Sequence, residues 1–424
     1  MKVLIRKLQQ EWPAWVAIAF IALLPFNRSG LALAVFVIAF PFLWRSPVHG
    51  ERTRQLFAWM LPLFLCFWVP MVLSSFDSYD PGKSWSQSLV NLRFLLAAVA
   101  MGVLLHPRSL RDRVLMGAAL ILLFWAVDGF IQLIFGYDLF GIPIHGDRLN
   151  ALFFKKYQFY GPVMAMLSPL LLEYARRRWN GWAWACAFAL VLGAVMIAGM
   201  RSGWVAIAMV IGVYAVLMSR RENRGLRRVT MAVPALLMLV VALSYAASPI
   251  FQQRVATTLE LTRGTEAALN VASSNRVPIF TNAWSMYQDH PINGVGVRAF
   301  PAAYLEYAAP DDPHVAALGG KRGARHAHNV VLELMADMGT IGLLAGIAGA
   351  LLGWRRWRRM RPDQKQDAFP FVLALALVLF PVNTHFALYG TYISTLIWFL
   401  VGLWGSVIEP GASTDTGTRQ ASDS

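Results

Sequence analysis

The residues of this 424-residue chain best suited to chemistry begin at His326. The stretch HAHNVVLELMADMGTIG, from His326 to Gly342, sets two histidines at the end of a long polar segment and starts an apolar helix directly after them. Within that helix Glu333 and Asp337 are four residues apart and share a face. Carboxylates in an otherwise apolar segment are costly, which makes them functional candidates. His328 and Asn329 fall at the mouth of the helix, where its positive end favours neutral imidazole over imidazolium. A neutral imidazole can accept a proton, with a carboxylate orienting its other nitrogen. The bland reading is a satisfied structural histidine at a membrane interface. Zinc on His326 and His328 lacks a Cys or HExxH companion nearby, so neither metal nor other cofactor is expected.

Two arginines join the histidine. Arg201, in GMRSGW, lies at the end of an apolar run with almost no loop around it. It either snorkels to headgroups or turns inward to a partner. Arg276 follows Ser273 and Ser274, either of which would cap a helix over about Arg276 to Tyr287. A guanidinium in a first helical turn, beside free amide ends, makes an anion site. Its bland reading is an ion pair with Asp289 or Asp311. The turn HPING, residues 290–294, precedes a second helix from Ala299, and Gly294 and Gly296 suit positive φ.

The elements that must carry these residues are membrane helices. The chain is 57% hydrophobic and only 14% charged, well below the charge of a soluble domain. Its apolar runs predict an all-α polytopic protein of about twelve spans. Residues 1–247 hold spans one to nine and 248–327 an outer loop domain with helices of its own. Residues 328–408 hold spans ten to twelve, the tenth over roughly Val330 to Leu352, and 409–424 a disordered tail rich in Ser, Thr and Asp. The first apolar run has no small-residue cleavage site and leads into another, so it is expected to remain as a span. Cys66 and Cys186 both fall inside apolar runs and offer no disulfide framework.

The net charge of +15 comes from arginine clusters in alternate loops, among them Arg108, Arg111 and Arg113, Arg176 to Arg178, and Arg355 to Arg361. The positive-inside rule makes that side cytoplasmic and puts both termini there. These loops meet anionic membrane lipids; a nucleic-acid role would need a soluble basic face. The opposite face is sparse in charge, with Arg148, Lys155 and Lys156 among aromatics between spans five and six.

Those residues together resemble the O-antigen ligases, in the superfamily that also holds O-antigen polymerases and protein O-oligosaccharyltransferases. The ligase pattern of His, then Asn, nine residues and Gly-x-x-Gly is matched by His328, Asn329, Gly339 and Gly342. A second block is matched by Ser274, Arg276, Trp284, His290, Pro291, Gly294 and Gly296, and Arg201 with Trp204 fits the family's mid-chain arginine. The resemblance implies a metal-independent inverting glycosyltransferase with GT-C-type architecture and a large helical periplasmic loop. It would move O-antigen from undecaprenyl diphosphate to a sugar hydroxyl of lipid A–core at the outer face of the bacterial inner membrane. On that reading His328 is the general base and Arg201 and Arg276 hold the diphosphate. Asn329, Glu333, Asp337, Arg298 and His326 are supporting candidates; Arg298 stands where the family often has a small or polar residue. A polymerase, a protein oligosaccharyltransferase and, from another class, a transporter are the alternatives. A transporter would show two similar halves with midplane charges, and no such repeat is visible.

Overall fold

A computed structural model describes residues 2–144, 148–153, 159–219, 238–246, 248–259, 275–320, 322–381 and 387–409, with side chains at 2–9 excepted among a few others. Ser273 and Ser274, Lys155 and Lys156, the arginines of 220–228 and the tail at 410–424 lie outside these residues. The described residues are all-helical, with an isolated bridge between Tyr137 and Pro143 in place of any strand.

The helices are α1 (Lys2–Ala22), α2 (Ser29–Arg45), α3 (Gly50–Ser74), α4 (Pro81–Leu104), α5 (Arg108–Phe135), α6 (Tyr160–Arg178), α7 (Gly181–Ile197) and α8 (Arg201–Ser219). They continue with α9 (Pro249–Leu259), α10 (Val277–Asp289), α11 (Phe300–Tyr307), α12 (Pro313–Ala316), α13 (Val330–Arg359), α14 (Pro362–Val378) and α15 (Thr391–Gly405). Four of them, α3, α4, α5 and α13, are long and apolar enough to cross a membrane, and α2, α7, α8 and α15 are shorter apolar helices. Small residues let the central pair approach closely: a Cβ on Gly402 of α15 would press against Ala98 and Met101 of α4.

Arginine clusters fasten one end of this bundle. Arg108, Arg111 and Arg177 converge on Asp367 at 3.3 to 3.5 Å. Arg52 donates to the carbonyl of Ile408 and Arg111 to that of Ser406, just beyond the end of α15. Cations suit the negative end of a helix. The loops expected to share a side by charge therefore meet at one end, joined by Arg361 with Glu409 and Arg178 with Asp112.

At the other end stands a second, smaller core built from Ile279, Ala283, Met286, Val295, Phe300, Ala303, Tyr304, Ala324, Ala327 and Ala336. It packs α10 and α11 onto the start of α13. Asp312 ties it internally, accepting from Tyr304 Oη at 2.9 Å and from Asn282 Nδ2 at 3.3 Å.

The sequence predicts one unbroken span from Val330. The structure differs: α13 is interrupted at Gly339, with φ 62° and ψ −156°. The loop before α11 enters the break. Val295 N donates to Ala336 O at 2.8 Å and Gly296 N to Asp337 O at 3.0 Å. Thr340 N and Ile341 N, which would ordinarily bond those same two carbonyls, donate instead to Pro291 O and Ile292 O at 2.8 and 3.2 Å. Two helical hydrogen bonds are thus exchanged for four between the helix and the loop. Non-helical backbone within a span is tolerated only where protein satisfies it in this way. The loop is held from behind as well, because Ser74 Oγ accepts from Val297 N and Ser84 Oγ donates to Val297 O.

Candidate functional site

The site starts from the first turn of α13. Asn329 is its N-cap, with Oδ1 accepting from Val331 N at 2.9 Å and Leu332 N at 3.1 Å. This is the Asn expected at the helix mouth, and it fixes the residue before it. His328 adopts φ 51°, a left-handed conformation uncommon for a residue with a Cβ. Ala327 is fully buried in the smaller core, while His326 and His328 on either side are half-buried. Their rings are in contact, with centroids 3.9 Å apart and planes at 40°.

Arg276 occupies the N-cap position of α10, which runs from Val277 to Asp289, one residue later at its start than expected. Pro278 fills the first turn, where a missing N–H costs nothing. Arg276 is half-buried, and burial, with the charges of Arg148 and Arg201 next in effect, holds its guanidinium down to about 10. Arg201, the first residue of α8, is within electrostatic reach of Arg148 as well. Arg148 is itself lowered by burial. The structure therefore brings the two expected arginines together and adds a third. Arg148 belongs to the loop between α5 and α6, and its only signal in the sequence was a basic residue among aromatics on a charge-poor face.

Like charges crowded in this way, and partly removed from water, can hold an anion between them. Arg276 and His328 are carried by elements that share one core, since Ile279, just inside α10, and Ala327 both pack in it.

The two carboxylates hold backbone. Glu333, 1% exposed, accepts from Leu388 N at 2.9 Å and Tyr389 N at 3.4 Å, tying the approach to α15 onto α13. Asp337, 3% exposed, accepts from Arg298 N at 3.4 Å. Arg298 is exposed with φ 65°, and its charge reaches both carboxylates. Asp337 and Arg298 brace the broken helix against the loop, and Glu333 braces it against the approach to α15. Among the described residues no three His, Cys, Asp or Glu side chains gather as a metal site.

Comparison with known proteins finds a family-model match. The family model described as O-antigen ligase matches residues 186–347, a stretch running from α7 into α13. No curated protein matches the chain. The matched segment carries Arg201, Arg276, Arg298, both histidines and the Gly339 break, and it supports reading the chain as a member of the O-antigen ligase/polymerase superfamily.

Proposed function

We propose that this protein is a polytopic inner-membrane enzyme of about twelve spans with GT-C-type architecture. Both termini lie in the cytoplasm, the segment 248–327 forms a periplasmic domain, and the site faces the periplasm. The enzyme transfers O-antigen polysaccharide from undecaprenyl diphosphate to a sugar hydroxyl of lipid A–core with inversion. His328 takes the proton of the acceptor hydroxyl as its oxygen attacks the anomeric carbon. The bond from that carbon to the diphosphate oxygen breaks, and undecaprenyl diphosphate leaves with the electron pair. Arg201, Arg276 and Arg148 hold the diphosphate and stabilise the charge that gathers on it. The observation that carries this reading is the meeting of three arginines from separate segments of the chain, each in electrostatic reach of the others.

Purified protein supplied with lipid-linked O-antigen and lipid A–core tests it. Glycan should appear on lipid A–core, and elongation on the polyprenyl carrier alone would instead establish a polymerase. Arg276→Ala should cut kcat/KM by about a hundredfold, and Arg276→Lys should recover only part, because lysine cannot bind two phosphate oxygens with a planar fork. Equal rates for wild type and Arg276→Ala would remove this arginine from the donor site.

A further inference from the structure

His326 precedes the proposed base by two residues, and nothing above gives it a task. We infer that His326 is a positioning residue whose ring, in contact with His328, sets the direction in which the His328 imidazole presents its nitrogens. This rests on the reading of His328 as the base.

The observations are geometric. Ala327 is fully buried in the smaller core, so the backbone between the histidines is pinned. Asn329 caps α13 on the other side. Between these anchors His328 takes φ 51°, and the rings of residues 326 and 328 come to 3.9 Å between centroids. Holding a β-carbon residue in that region strains the backbone, and such strain marks functional positions. The strain brings an outcome here, namely ring contact. An imidazole turns about two side-chain torsions, and a flat neighbour at van der Waals distance restricts both.

The two carboxylates of the same helix bind backbone amides. Glu333 holds the amides of Leu388 and Tyr389, and Asp337 faces the amide of Arg298. The tilted ring contact, with centroids 3.9 Å apart, is the orienting device that the HAH sequence supplies.

The test is kinetic and uses the full-length protein in the same ligation assay, with melting followed for each variant. His326→Ala should lower kcat by about tenfold or more, as expected of a base swung out of line, and leave KM for the acceptor within about twofold. His326→Phe, which keeps a flat ring, should restore kcat to within about threefold of wild type, whereas His326→Gln should not. In a His328→Ala background, His326→Ala should cost nothing further, because the two act as a unit. If His326→Ala does not fold, the Phe and Gln variants decide alone. Unchanged kcat in His326→Ala, a Phe variant as slow as the Gln variant, or an additive loss in the double variant overturns the inference. A His328→Ala protein that transfers at the wild-type rate would instead sink the base assignment.

Discussion

Replacing His328 by alanine should leave a folded protein that transfers glycan about a hundredfold to ten-thousandfold more slowly, the usual worth of a positioned general base. The loss should fall on kcat, because the side chain acts on the proton that moves in the transition state and not on donor affinity. Folding is expected to survive, since the N-cap of α13 is Asn329 and its two hydrogen bonds do not involve His328. His328→Gly sharpens the expectation. At φ 51° a glycine is at ease where histidine is strained, so this variant should melt no lower than the alanine variant and still be inactive. An enzyme that gains stability and loses activity at one position is holding strain there for function. Melting curves and single-turnover rates on the two variants check both halves. Retained activity in either would move the chemistry off this residue.

Gly339→Ala and Gly294→Ala should be among the most damaging single changes in the chain. Gly339 has φ 62°, and a Cβ there would overlap the backbone of Ile292 and Asn293. Gly294 has φ 70°, and its Cβ would overlap the backbone of Asp337 and Met338. Each glycine thus faces the peptide plane of the other's segment, where no side chain can turn aside. The combined cost of backbone strain and overlap is about 3 kcal/mol or more, enough to unfold a marginal protein. Fluorescence-detected size exclusion in detergent should show little folded material for either variant. Gly212→Ala in α8 serves as control: nothing lies within 4 Å of its added Cβ, and alanine favours helix. A folded Gly339→Ala protein would mean that the break can close into ordinary helix.

The all-helical class and its long apolar helices were legible from apolar runs, because a span in lipid must satisfy its backbone internally and announces itself by length. Arg201, Arg276 and His328 stand out as candidates in the sequence by their isolation on a charge-poor face and by the motif spacing. The break at Gly339 was not legible. Its cause lies in residues 291–296, and local periodicity over Val330 to Leu352 gives no hint of amides that bond backward across the chain. The grouping of Arg148 with Arg201 and Arg276 was hidden for a similar reason, since contacts between distant segments leave no local pattern. Glu333 and Asp337 were correctly placed on one face, yet their sequence context says nothing about the amides they hold. His326 was visible as a residue and silent as to its role until the two rings were seen to touch.

The exchange of peptide bonds at Gly339 also bears on how the fold is reached. The amides of Val295, Gly296, Thr340 and Ile341 depend on one another: withdrawal of the loop strips all four at once, and the helix can reclaim only two. Opening there is consequently all-or-none. In deuterium exchange the amides of Val295 and Gly296, which the helix cannot reclaim, should lose protection together, as one unit separate from the rest of α13. The loop is also made before the helix that receives it. On the topology proposed here, a newly inserted span would cross as a continuous rod and break only when the loop, already on the outer side, closes against it. His328, the proposed base, would then be set in place last, by a clasp whose two halves are made at different times.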